Sequence, residues 1–265
     1  MINFEDKSKY GVYDLQKLIA ILRAPGGCPW DAEQTHESIR RNFLEEAYEA
    51  VEAIDERSPA HLCEELGDVL TQVVFHSGIE EDAGHFDLDD VADAECRKLI
   101  LRHPHVFGDV HVTGTDDVLK NWDDIKRVEK SQKTVSDSID AVAKSLPALW
   151  RAEKIQKKAA KVGFDFPEVW QAVDKLAEEL TELSDAISSE TGIEEEIGDV
   201  LFSIVNVARL LKIDPEEALT KSSDKFSARF AYVESEAAKQ GRILNELSLE
   251  EMDALYEQGK SVSDN

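Results

Sequence analysis

Glu178-Glu179-Leu180-Thr181-Glu182 and, after a short break, Glu194-Glu195-Glu196-Ile197-Gly198-Asp199 decide how this chain reads. Leu176, Leu180, Leu183 and Ile187 recur at helical spacing through the first piece, and Ile197, Val200, Leu201, Ile204 and Val205 do so through the second. Thr191-Gly192 between them reads as a helix stop and turn, which predicts an antiparallel helical hairpin. Residues three apart on a helix are neighbours, so Glu179 and Glu182 share one face, as do Glu196 and Asp199. Folding the hairpin sets Glu179 near Asp199 and Glu182 near Glu196. Four carboxylates are thus expected to point into one small volume beside an apolar seam.

Such a cluster is costly by itself. Two unit charges about 5 Å apart repel by roughly 3 kcal/mol at an effective dielectric near 20, and four make several such pairs. Either protons or a divalent cation must neutralise them. All-oxygen ligands suit hard ions, Mg²⁺ first and Mn²⁺ next. A single E-x-x-E would read as a solvated helix face.

The pattern occurs twice, however. Phe43-Leu44-Glu45-Glu46-Ala47-Tyr48-Glu49 and Glu64-Glu65-Leu66-Gly67-Asp68 repeat it in the first half. The first blocks lie 133 residues apart (Glu46 to Glu179, Glu49 to Glu182) and the second 131 apart (Glu65 to Glu196, Asp68 to Asp199). A third pair, Lys98 and Arg102 against Lys225 and Arg229, lies 127 apart. An ordered triple at nearly constant offset marks an internal duplication. Solvated charge alone would not keep that order.

The 265 residues, 42% of them hydrophobic, are enough for two domains with real cores. A formal charge of −26 argues against nucleic acid or an anionic membrane as partner, since both would be repelled. Cys28, Cys63 and Cys96 are widely spaced with no C-x-x-C, which suits a reducing cytoplasm and neither disulfides nor zinc. Met1 to Lys7 is acidic without an apolar run, so no secretory leader is expected, and no window approaches a membrane span.

Helical spacing recurs along the rest of the chain and no stretch alternates with period two, so the expected class is all-α. The expected domains are 1–130 and 146–265, with the small polar stretch in 131–145 as linker. His103-Pro104-His105 reads as an extended loop that packs rather than as a metal site. Gly259 to Asn265 is expected to be a disordered tail after a helix from Leu249 to about Gln258.

No P-loop and no Rossmann glycine motif is present. A carboxylate cage with cations nearby suits instead a substrate whose phosphates complete the metal's shell. Lys225 and Arg229, four apart on one helical face, and Lys175, one turn before Glu179, are the candidate phosphate clamps, with a solvated surface pair as the plainer reading of the first two. For Glu178 and Glu195 two readings stay open: proton acceptor from an attacking water, or surface glutamate.

Gly26-Gly27-Cys28-Pro29-Trp30-Asp31, Leu44-Glu45-Glu46-Ala47-Tyr48-Glu49, Glu64-Glu65-Leu66-Gly67-Asp68, Arg102-His103-Pro104-His105-Val106-Phe107, Lys154-Ile155-Gln156 and Val162-Gly163-Phe164-Asp165 together resemble the MazG family. These are nucleoside triphosphate pyrophosphohydrolases of the all-α NTP pyrophosphatase superfamily. The resemblance covers nearly the whole chain as two tandem MazG-like halves. It implies Mg²⁺-dependent hydrolysis of NTPs and dNTPs to monophosphate and pyrophosphate by a cytoplasmic homodimer. Carried over by motif, Glu179, Glu182, Glu196 and Asp199 are the metal ligands. Lys175, Glu178, Glu179, Glu195, Asp199, Lys225 and Arg229 line the nucleotide, and Tyr256 stands where the family has a tryptophan stacked on it.

Two other readings stay open: a relative selective for one or a few nucleotides, and a non-enzymatic acidic helical regulator. By inventory the first half is also complete, with Glu46, Glu49, Glu65, Asp68, Lys98, Arg102 and Trp122. The resemblance assigns activity to the second half and mainly assembly to the first. Pro104 ends the first half's cationic helix just after Arg102, so that arginine is expected to be loosely held.

Overall fold

A computed structural model of the chain describes residues 4–129 and 134–263. Among them every regular element is a helix. The chain divides into two compact units, Met1–Lys126 and Arg127–Asn265.

The first unit contains α1 (Val12–Arg23), α2 (Pro29–Glu33), α3 (His36–Asp55), α4 (Pro59–Ala83), α5 (Leu88–Arg102), α6 (Pro104–Phe107) and most of α7 (Thr115–Glu129). Capping side chains set the starts: Thr35 Oγ1 accepts from Ser38 N at 3.3 Å, and Ser58 Oγ accepts from His61 N at 3.3 Å. Pro59 supplies the first-turn φ of α4, and Gly84, at φ +75°, ends it in the left-handed conformation. Helices α3 and α4 form an antiparallel hairpin. Ile19 of α1, Ile39 of α3, Val74 and Phe75 of α4 and Leu88 of α5 make the core around its open end.

The second unit continues with α8 (Val135–Asp140), α9 (Ala148–Ala160), α10 (Val169–Ser189), α11 (Ile193–Leu210), α12 (Pro215–Lys239) and α13 (Leu249–Ser263). Glu190 (φ +54°) and Gly192 (φ +73°) make the tight turn between α10 and α11, where Thr191-Gly192 predicted it. Asp214 caps α12 by accepting from Glu216 N at 2.9 Å and also receives the Trp150 indole N–H at 2.9 Å, tying α12 to α9. Val233, Ala237, Leu247 and Leu255 form the core between α12 and α13.

Several sequence expectations change. Residues 135–140 of the expected linker form α8, which packs on α9, while residues 130–133 lie outside those described. The expected tail is helical through Ser263. Gly259 is buried there, and a Cβ on it would meet the Tyr232 ring at 3.2 Å, so this glycine permits close approach and does not end the helix. Pro104 starts the one-turn helix α6, because its fixed φ suits a first helical turn. Arg102 closes α5 but is only 9% exposed, which contradicts a loosely held side chain.

Candidate metal centre

In the second unit, α10 contributes Glu179 and Glu182 from consecutive turns, and α11 contributes Glu196 and Asp199. One carboxylate oxygen from each of Glu179, Glu196 and Asp199 lies within 4.8 Å of the other two. The hairpin therefore gathers three of the four predicted ligands. Glu182 is exposed at the rim, outside this trio, and close enough to feel it. Burial first, then the charge of Glu179, with Glu196 adding, raises its carboxyl above the usual range against the opposing pull of Lys175.

Within the trio, Glu179 is 6% exposed and Glu196 Oε2 is buried with no hydrogen-bond partner. A buried, unpartnered carboxylate oxygen beside two further carboxylates fits a hard cation, which supplies the missing partner and the neutralising charge together. Lys175 Nζ sits 2.9 Å from Glu178 Oε1 and 2.9 Å from Glu179 Oε1, so it fixes the innermost ligand from the outer side. Those two bonds, to Glu179 first, push the lysine far above its ordinary pKa. Glu178 is thereby an ion-pair partner of Lys175, while Glu195 lines an open hollow with Gly192 and Ile193 at the start of α11.

A second group sits on α12 and α13. Phe226 and Tyr256 have ring centroids 5.6 Å apart, Phe226 stacks on Phe230 at 6.0 Å, and Arg229 Cζ lies 6.0 Å from the Tyr256 centroid. Lys260, one turn beyond Tyr256, places Nζ 5.9 Å from the same ring. Lys225 is exposed on the same helix face as Arg229. Sequence reading missed Phe226 and Lys260; their spacing of three from Arg229 and four from Tyr256 was the available signal.

The first unit repeats both groups with different partners. Oxygens of Glu46, Glu49 and Glu65 lie within 4.8 Å of one another. Asp68 is outside that trio, yet its charge, after burial, helps raise the Glu46 carboxyl. Glu65, 8% exposed, is also raised, by burial first and Glu49 next. Here the cation is His61, which sequence reading missed: it stands 2.8 Å from Glu56 and 3.2 Å from Glu65, four residues before it on α4. Around Trp122, Lys126 Nζ lies 4.3 Å from the ring and His103 packs at 6.1 Å, matching Tyr256 with Lys260. Lys98 pairs with Glu95.

The MazG nucleotide pyrophosphohydrolase domain matches twice, over residues 34–107 and 158–233, each span enclosing one carboxylate hairpin. The chain is 45% identical over 247 residues to "Nucleoside triphosphate pyrophosphohydrolase/pyrophosphatase MazG" of Thermotoga maritima, covering 93% of this chain and 94% of that protein. It is 43% identical to "Nucleoside triphosphate pyrophosphohydrolase" of Escherichia coli K12, over 90% of this chain and 93% of that one. Protein YabN of Bacillus subtilis is 49% identical over 97% of this chain, which spans only 53% of YabN's length. Two domain matches on two carboxylate hairpins, with relatives aligned nearly end to end, place this chain in the MazG family as a tandem, all-α member.

Proposed function

We propose that the chain hydrolyses nucleoside triphosphates, ribo- and deoxyribo-, to nucleoside monophosphate and pyrophosphate, with the second unit as the working site. The observation that carries this reading is the Glu179–Glu196–Asp199 trio with its buried, unpartnered Glu196 oxygen. Those three residues would hold Mg²⁺, or Mn²⁺ in its place, with Glu182 reaching in from the rim as the fourth carboxylate. The metal supplies charge neutralisation for the phosphates and for the oxygens exchanging at phosphorus. The relatives from T. maritima and E. coli, named as nucleoside triphosphate pyrophosphohydrolases, support the same reaction.

The chain's own residues have separable tasks. Lys175 holds Glu179 in place, Arg229 and Lys225 bind phosphate oxygens, and the Tyr256 and Phe226 rings offer a face to the nucleotide. Water attacks phosphorus, the bond to the bridging oxygen of the departing pyrophosphate breaks, and a glutamate takes the water's proton. Glu195 is better placed than Glu178 for that task, because Glu178 is occupied by Lys175.

A cytoplasmic homodimer is part of the proposal. Leu180 and Ile187 are 52% and 56% exposed on α10, with Ile197, Leu201 and Ile204 exposed on α11. Each such side chain, about half exposed, forgoes roughly 1 kcal/mol, which a second copy would recover. No helix among the described residues is long and apolar enough to cross a membrane.

Product analysis is the test. ATP should give AMP and pyrophosphate, activity should vanish in EDTA, and Mg²⁺ or Mn²⁺ should restore it far better than Ca²⁺, whose looser shell positions ligands poorly. ADP and orthophosphate, or full activity in EDTA, would overturn the assignment.

A further inference from the structure

The mouth of the α3–α4 hairpin holds a polar cluster that the carboxylate site does not use. His36, the first residue of α3, places Nδ1 2.7 Å from His76 Nδ1 on α4, with the ring planes 7° apart and the centroids separated by 5.0 Å, so the rings meet edge to edge. His36 Nε2 lies 2.7 Å from Glu80 Oε1, and Glu80 Oε2 lies 2.7 Å from His85 Nδ1 beyond the end of α4. The Phe43 ring closes one side of His76 at 5.7 Å. Ten residues separate His36 from Glu46 on α3, about 15 Å at 1.5 Å per residue, so this cluster is distinct from the carboxylates.

The second half has none of it. At the offsets of the duplication, 133 for the first block and 131 for the second, His36, His76 and Glu80 correspond to Val169, Val207 and Leu211. Val169 opens α10 just as His36 opens α3, and Val207 is buried. The second hairpin thus carries aliphatic residues at these three positions, Val207 buried and Leu211 half exposed, and forms without the histidines.

We propose that His36, His76, Glu80 and His85 form a proton-operated latch that holds the mouth of the first hairpin shut at neutral pH and releases it in mild acid. Proton counting sets the behaviour. Glu80 can only accept, so His36 Nε2 carries a hydrogen and donates to it. Between the two Nδ1 atoms there is room for one hydrogen; with both rings neutral it belongs to His76 and is accepted by His36 Nδ1. One added proton is tolerated: His36 then donates from both nitrogens, and neutral His76 accepts with its own hydrogen on Nε2. A second proton, on His76, puts two N–H groups and two positive charges face to face. That bond cannot survive.

Burial first, and then the charge of His36, holds His76 below the ordinary histidine pKa. A histidine depressed in the folded state contributes stability above the unfolded value near 6.5, and loses it as pH falls below that value. Glu80 is lowered by His85 and then His36, so it remains an acceptor throughout this window. Among the other charges nearby, Glu37 on α3 feels His36. On the neighbouring helices, Arg23 of α1 is engaged by Asp82 at 2.8 Å, and Asp89 of α5 accepts from the Tyr13 hydroxyl at 2.9 Å.

Hydrogen exchange on the full chain tests this, with rates expressed as protection factors so that the intrinsic pH effect cancels. Between pH 7.5 and 5.5, protection in residues 36–43 and 73–83 should fall several-fold, up to about tenfold, relative to 169–176 and 204–210. The variant H36V/H76V/E80L, which copies the second half, should lose this dependence. Unchanged protection in the wild type, or an equal fall in the variant, would overturn the proposal. Because the variant could fail to fold, ring NMR of the wild type stands beside it: His76 should titrate below 6.5, and His76 titrating at or above that ordinary value would overturn the latch equally.

Discussion

The two hairpins carry the same carboxylates but neutralise them with different cations. In the second, Lys175 on α10 reaches Glu179 and Glu178, and Glu196 Oε2 has no hydrogen-bond partner among the described residues. In the first, the position 133 residues before Lys175 is Asn42, and the cation is His61 on α4, facing Glu65. Lysine stays charged at every physiological pH, whereas histidine changes charge there. The second trio is thus braced from outside with an oxygen left open, while the first has its buried glutamate closed by an imidazole. Duplication preserved the ligands, and divergence changed what holds them. That difference is our reason for assigning turnover to the second unit.

The largest test exchanges which carboxylates are lost. Glu182→Gln/Asp199→Asn in the whole chain should lower turnover by about 100-fold or more, since metal-assisted charge stabilisation amounts to several kcal/mol. Glu49→Gln/Asp68→Asn should leave most of the activity. The reverse pattern in steady-state rates would break the comparison and move every role to the first unit.

Bracing itself is tested next. Lys175→Asn gives the second hairpin the first one's residue. Partners that orient a metal ligand are typically worth 10- to 100-fold, so kcat/KM should fall by about that factor with the fold intact by circular dichroism. A change under about twofold would mean that the cation is not what separates the halves.

The hairpins were legible because their signals are local: carboxylates three apart must share a helix face, and Thr191-Gly192 supplies its own turn. What covers an apolar stripe is not local. Leu180 and Ile187 have core spacing, yet both are more than half exposed. Periodicity reports a one-sided helix and not the surface that meets it. Gly259 failed for a related reason, since glycine ends helices and also permits close packing, and only Tyr232 distinguishes the two. His61 and Glu65 were within reach at a spacing of four, but Glu56 sits across the helix start and is not.

Glu196→Gln should act on stability in the metal-free protein. Its buried oxygen has no hydrogen-bond partner among the described residues and faces two carboxylates. With Asp199 exposed, solvent screens most of the roughly 3 kcal/mol per pair, and a neutral amide should relieve a net of about 1 kcal/mol, or about 2–4 °C in Tm. Glu65→Gln, the matching change, breaks the contact with His61 at 3.2 Å and should give no such gain. Calorimetry in EDTA measures both. Equal shifts would show that the imidazole matters little.

The smallest effect concerns how each hairpin is tied to the segment before it, α1 in the first unit and the α9–α10 loop in the second, where the halves have moved one arginine. In the second unit Arg209 of α11 grips Asp165, with Nη1 3.0 Å from Oδ2 and Nη2 on Oδ1, and is itself steadied by Asn206 Oδ1 at 3.0 Å from Nε. The residue 131 earlier is Gly78, and there Arg23 comes from α1 instead, so close that a Cβ on Gly78 would meet its Nη1 at 2.7 Å. Arg23 pairs with Asp82 at 2.8 Å, but the Asp82 side chain is 72% exposed against 26% for Asp165. Exposed pairs contribute little, while a forked, mostly buried one contributes more. Asp165→Asn should therefore lower Tm at pH 7 by about 2–4 °C, on the order of 1 kcal/mol, and Asp82→Asn by less than about 1 °C. Arg209 holds the Asp165 carboxyl below its usual range. A carboxylate depressed in the folded state gives stability that is present above its unfolded pKa near 3.9 and lost as pH falls through the folded value. The Asp165→Asn deficit should accordingly shrink between pH 4 and pH 2. A deficit that persists at pH 2 would mean that Asp165 acts through packing, not charge, and that the two arginines are equivalent after all.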